Sequence, residues 1–152
     1  MTRIVSGKET VAPWVAKKLF ARFNADEAIG LERRGEMVAG VVYENWNGAS
    51  FTVHIVVQGL MTPKYLAAIF HYPFVHVGAQ ALIAPVAPSN DESIKFVKNL
   101  GFRELARLPG CHPDGSLLLF VMQREECRFI GERYGSRLAV DAQGECHRQR
   151  QQ

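Results

Sequence analysis

Covalent staples are scarce in this chain. Its 152 residues hold three cysteines, Cys111, Cys127 and Cys146, an odd and widely spread set. A disulfide framework is therefore not expected, and a reducing cytoplasm is the expected compartment. Long apolar runs are also missing. No stretch approaches the roughly 20 residues that span a bilayer, and the opening "MTRIVSGKETVAPWV" holds no apolar leader core, so no membrane partner is expected. Neither charge sign dominates: Lys and Arg number 18 against 15 Asp and Glu, a net charge of +3. From Arg124 to Gln152, six Arg face five acidic residues. With no basic stripe and no aromatic–basic interleaving, nucleic acid is not an expected partner. The pairs Cys111-His112 and Cys146-His147 match no standard ligand spacing, so no metal is expected.

The residues that are present describe an ordinary core-forming domain, 47% hydrophobic and 22% charged. "ETVAPWVAKKLFARF" reads as a first helix. Val11, Val15, Leu19 and Phe20 fall at helical spacing, Thr10 is positioned to cap, and Pro13 suits the first turn. Three antiparallel strands are predicted next, at about 27–32, 37–45 and 50–58, punctuated by "RRG" and "NWNG". In the third, Phe51, Val53, Ile55 and Val57 share one face, while Thr52, His54, Val56 and Gln58 share the other. "TPKYLAAIFHYPF" has a helix start in Thr62 and Pro63. "QALIAPVA" reads as a buried strand. "SNDESIKFVKNLGF" reads as a helix capped by Ser89 or Asn90, acidic at its start and ended by Gly101. "FRELARL" and "SLLLFVMQ" follow as strands joined by a loop "PGCHPDG", and "REECRFIGERYG" as a short closing helix. The expected fold class is α/β (α+β), with a mixed, mostly antiparallel sheet of about six strands flanked by helices. Residues 1–135 form the domain, and 136–152 form a polar tail expected to be frayed.

This order, together with Asn90, Ser93, Phe96, Leu100, Gly101 and Phe102 in the pattern N-x-x-S-x-x-F-x-x-x-L-G-F, resembles the GNAT acetyltransferase superfamily. The last strands and "QREECRF" are similar to its ribosomal-protein-alanine acetyltransferase branch. The fragments "VAPWV", "AIGLE", "VAGVVY", "HIVV" and "AIFHYPF" resemble small acetyltransferase-like proteins often encoded by phages and prophages. The resemblance covers roughly residues 4 to 130. It implies transfer of an acetyl group from acetyl-coenzyme A (acetyl-CoA) to an amine by direct attack in a ternary complex. The amine would lie on a protein N-terminus, a lysine or a small molecule. It also implies coenzyme A as a bound co-substrate, with dimers common among look-alikes.

The resemblance further implies which positions do the work. The third strand would splay from the next parallel strand and admit the pantetheine arm. The backbone of Val56, Val57 and Gln58 would bind that arm, and the helix starting at Thr62 would aim amides at the pyrophosphate. Asn90 would hydrogen-bond the coenzyme A arm, cap its helix, or both. His54 is the first candidate for the base that takes the amine proton, the bland alternative being a hydrogen-bonded structural histidine. Glu44 is the rival base, or else a solvated strand residue. Two positions depart from the family pattern. "QGLMTPKY" lacks the later glycines of the pyrophosphate loop, and Val97 stands where many members place a tyrosine acid. Tyr72 is a substitute acid only if it reaches the cleft. "RRGE" and "GERYGSR" are solvated turns or contacts to a phosphate or an acidic substrate. The departures leave a second reading open: an altered GNAT-fold module that binds a host or viral protein.

Overall fold

A computed structural model of the chain describes residues 1–131 and Tyr134. The expected tail at 136–152, Cys146-His147 and most of "GERYGSR" lie outside the described residues. In chain order the elements are β1 (Thr2–Ser6), α1 (Lys8–Leu19), β2 (Ala25–Arg33), β3 (Glu36–Glu44), β4 (Ser50–Val57) and α2 (Pro63–His71). A π-helical turn at Tyr72–Val77 extends α2, followed by β5 (Ala81–Val86), α3 (Asp91–Leu100), β6 (Arg103–His112) and β7 (Gly115–Gln123). One mixed sheet has the order β1-β2-β3-β4-β5-β7-β6. All neighbours are antiparallel except β4 and β5, which run parallel across the α2 crossover.

The sheet has seven strands rather than about six. The addition is β1, "TRIVS", which pairs with β2 from Thr2↔Arg33 to Ser6↔Ile29. Three further expectations are corrected. α1 begins after Gly7, not at Thr10, and Gly7 holds φ +127°, a conformation that favours glycine. Pro13 therefore sits inside the helix rather than in its first turn. β6 runs on through "PGCH", so the hairpin turn is only Pro113-Asp114. Where the closing helix was expected to begin, residues Arg124–Glu126 and Arg128–Ile130 form two short 3-10 turns, and the last part of that stretch, apart from Gly131 and Tyr134, lies outside the described residues.

Alternation along the strands divides the core in two. Ile29, Leu31, Val41, Tyr43, Phe51 and Val53 face α2, where Tyr65, Ile69 and Phe70 are buried with them. On the opposite face, Val11 and Val15 of α1 pack on Ala28 and Val42. Gly30 and Gly40 are direct partners in the β2–β3 register. A Cβ on Gly40 would lie 2.6 Å from Val15 Cγ2, and one on Gly30 would lie 3.1 Å from Val11 Cγ2. The missing side chains let α1 lie directly on the sheet. α1 ends where Phe20 turns left-handed (φ 53°), and Ala21 donates back to the Ala16 carbonyl at 3.0 Å. That is the hydrogen-bond pattern of a glycine cap, made here with a phenylalanine.

Candidate active site

β4 has different neighbours along its length. On one side it stays in register with β3 to its end, from Glu44↔Thr52 to Ala39↔Val57, and Gln58 still donates its N–H to the Val38 carbonyl at 2.7 Å. On the other side it meets β5 only at Ser50↔Ala81, Phe51↔Leu82 and Thr52↔Ile83. Beyond Thr52 the two parallel strands part. Antiparallel pairing turns the peptide groups of alternate residues to the same edge. The Gln58 bond therefore fixes the peptides of His54, Val56 and Gln58 toward β3, and those of Val53, Ile55 and Val57 toward the gap. Of the three residues expected to present backbone groups there, Val57 does so. Val56 and Gln58 turn theirs to β3, a one-residue alternation that the resemblance could not resolve.

The gap is a small cleft between the diverging strands. Val53, His54 and Ile55 line one wall and Ala84, Pro85 and Val86 the other, with Leu19 at the α1 side and Ser93, Phe96 and Val97 from α3. Val97 is thus a wall of the cleft, and valine has no proton to give. Tyr72 is elsewhere. It packs on Tyr43 and Phe51, with ring centroids 5.0 and 6.0 Å apart, and is absent from the cleft lining. Burial, helped by the negative charges of Glu27 and Asp26, pushes its pKa up to about 12, which makes it a poor acid near neutrality.

His54 and Glu44 come together. The imidazole Nε2 lies 2.8 Å from Glu44 Oε1, both side chains being mostly buried. The β3–β4 register explains the meeting: Val42 is opposite His54 and Glu44 is opposite Thr52, so the two side chains are diagonal neighbours on one face. A carboxylate accepts, so Nε2 carries the hydrogen, and in the neutral ring Nδ1 keeps the lone pair. Among the described residues Nδ1 has no hydrogen-bond partner. Burial pulls the His54 pKa below the ordinary histidine value, and the hydrogen bond and charge of Glu44 oppose that pull. Near neutral pH the ring is an uncharged proton acceptor.

Two residues missed in the sequence complete this cluster. Phe23 stacks on the imidazole with ring centroids 4.3 Å apart and planes 28° apart. The Asn24 N–H donates to Glu44 Oε2 at 3.3 Å. Both lie on the segment after α1, of which the sequence pattern assigned Phe23 to the helix itself.

At the far end of β4, Thr62 caps α2 and its hydroxyl accepts from the Tyr65 N–H at 3.1 Å. Arg33, from the β2–β3 hairpin, donates to the Leu60 carbonyl at 3.4 Å, which places a guanidinium beside the loop that precedes α2. Asn90 caps α3 and accepts from the Ser93 N–H at 3.1 Å. Cys111 is exposed, and the His112 imidazole accepts from the Asp114 N–H. Among the described residues no three metal-ligating side chains converge, and no helix is long and apolar enough to cross a membrane.

No family model matches the chain and no curated protein does. Solved structures do match it in fold. One is the spermidine/spermine N-acetyltransferase SpeG from Vibrio cholerae, with 12% identity, 90% of this chain and 99% of that chain covered, and TM-score 0.63. A second is an acetyltransferase of the GNAT family from Bacillus anthracis, with 20% identity, 79% and 76% covered, and TM-score 0.53. A third is the Campylobacter jejuni N-acetyltransferase PseH in complex with acetyl coenzyme A, with 12% identity, 81% and 99% covered, and TM-score 0.54. The sheet flanked by helices thus has the GNAT acetyltransferase fold.

Proposed function

We propose that the chain is an acetyl-CoA-dependent N-acetyltransferase acting by direct attack of an amine in a ternary complex. The observation that carries the reading is the parting of β4 from β5 after Thr52, with His54 on the cleft wall and hydrogen-bonded to Glu44. A slot of mixed polar and apolar lining with strand peptides along one side suits an amide-bearing thioester arm. Phosphates at its outer end would meet the α2 N-terminus and the Arg33 guanidinium, which supplies charge where the loop lacks glycines.

In this reading Nδ1 of neutral His54 takes a proton from the acceptor ammonium, and Glu44 steadies the imidazolium through Nε2–H. The freed nitrogen lone pair forms the C–N bond. The peptide groups of Ile55 and Val57 face the developing oxyanion. The C–S bond breaks toward sulfur, and the thiolate takes the second nitrogen proton by way of solvent, since Val97 offers none.

Calorimetric titration with acetyl-CoA tests the binding half, and thiol release against a panel of amines tests the chemistry. Micromolar binding that survives His54→Gln, with turnover lost by about 10²-fold or more, supports the enzyme. A second reading, a binding module on this scaffold, is favoured by Val97, which is buried in the cleft wall, and by the "QGLMTPKY" loop. Absence of any acetyl-CoA binding overturns the transferase in its favour.

A further inference from the structure

We infer that Phe23 is a positioning residue for His54, holding the imidazole in one orientation and keeping water from its face. α1 stops at Leu19, and the chain reverses through left-handed Phe20. The end of α1 and the loop that follows it thus meet at one cluster. Leu19 lines the cleft, Phe23 lies 4.3 Å from the imidazole centroid, and the Asn24 N–H holds the second oxygen of Glu44. Glu44 therefore accepts from His54 through one oxygen and from the loop through the other. The imidazole is fixed at its edge by Glu44 and on its face by Phe23. Phe23 itself packs with the Val11 and Val15 cluster of α1, so the stacking ring has support behind it.

The surroundings assign the consequence. Glu44 on β3 is the charged group facing the imidazole; Leu19 and Phe23 on the α1 side, and Ala84, Pro85 and Phe96 across the cleft, are uncharged. Removing Phe23 admits water to the ring face and removes the opposition to its charged form. It also lets the ring turn about its side-chain bonds, so that Nε2–H is no longer committed to Glu44.

The catalytic half of this inference rests on the transferase reading, and the experiment separates the two. The His54 ring is titrated by nitrogen-15 NMR in the full chain and in Phe23→Ala, Phe23→Leu and Phe23→Tyr, alongside the pH dependence of kcat/KM. In Phe23→Ala the imidazole is expected to protonate at higher pH and to lose its single Nε2–H tautomer. Phe23→Leu follows in smaller measure, and Phe23→Tyr restores both. kcat is expected to fall roughly tenfold, with the acidic limb displaced to higher pH and the KM for acetyl-CoA within about twofold. An unmoved titration and tautomer in folded Phe23→Ala or Phe23→Leu overturns the inference. A displaced titration with an undisplaced acidic limb sustains Phe23 as the residue that sets the ring and removes His54 as the base.

Discussion

Placing a methyl group on Gly40 probes the contact that seats α1 on the sheet. The added Cβ would lie 2.6 Å from Val15 Cγ2, 3.2 Å from Val11 Cγ1 and 3.3 Å from Trp14 Cε3. Carbon atoms rest near 3.5–4.0 Å. All three contacts are short at once, and Val11 and Val15 are completely buried and held among Ala28 and Val42. Relief therefore requires moving the helix rather than turning one side chain. Overpacking of this kind costs typically 1–3 kcal/mol. Gly→Ala also stiffens the unfolded chain, which returns about 0.4–1 kcal/mol. The expected net loss for Gly40→Ala is about 1–2 kcal/mol, read as a lower urea midpoint at unchanged slope. Val15→Ala removes the worst offender and leaves room for the new methyl. Alone it should cost about 1–3 kcal/mol through lost burial and a cavity. Combined with Gly40→Ala it should cost at least about 1 kcal/mol less than the sum of the single changes. Strict additivity in that cycle would refute the steric account of the glycine pair.

His54 is expected to make stability depend on pH. Its folded pKa is below the ordinary 6.5, so the unfolded chain binds more protons as pH falls through that value, and stability falls with it. Urea midpoints between pH 7.5 and 5 should show that slope, and His54→Gln should flatten it; an equal slope in the variant would refute the assignment. Asn90→Ala removes the Ser93 N–H acceptor and should cost about 1 kcal/mol of stability. A loss of acetyl-CoA affinity beyond about threefold in that variant, with Asn90→Ser restoring stability but not affinity, would mark a second role as a ligand contact. Arg33→Gln should weaken acetyl-CoA binding by roughly tenfold at low salt and leave acetyl-pantetheine binding unchanged. An equal loss for both ligands would exclude a phosphate contact.

Much of this arrangement was legible because it follows from local rules. Asn90, the acidic first turn and Gly101 mark α3 in the sequence, and the structure places its cap and end at Asn90 and Gly101. Alternation in β4 correctly put His54 and Val53 on opposite faces, and the antiparallel pairing of β3 with β4 made a meeting of His54 with Glu44 geometrically available. The misses are of another kind. β1 is a five-residue edge strand whose identity comes from its pairing with β2, not from any turn signal of its own. Residues 20–23, "FARF", continue the apolar spacing of α1. Propensity carries the helix through them, but the chain reverses at Phe20, and the Schellman-type bond from Ala21 to Ala16 decides the outcome. Phe23 belongs to the His54 cluster only because of that reversal. The width of the cleft was not in the sequence of β4 either, since it depends on where the register with β5 stops.

β4 divides its duties by parity, and this explains why the histidine and the cleft can coexist on one strand. Odd residues turn their side chains to the α2 face, and their peptides, past Thr52, to the gap. Even residues turn their peptides to β3 and their side chains to the α1 face. A histidine at an even position therefore leaves the odd-numbered peptides along the cleft untouched, while its own peptide stays locked to β3. The imidazole is then supported by whatever covers the α1 face, which here is the loop leaving α1. The close seating of α1 on Gly30 and Gly40 and the placement of Phe23 over His54 are consequently one mechanical problem. A change that lifts the helix from the glycine pair moves the imidazole before it opens the cleft. Gly40→Ala should thus disturb the His54 titration more than it disturbs acetyl-CoA binding.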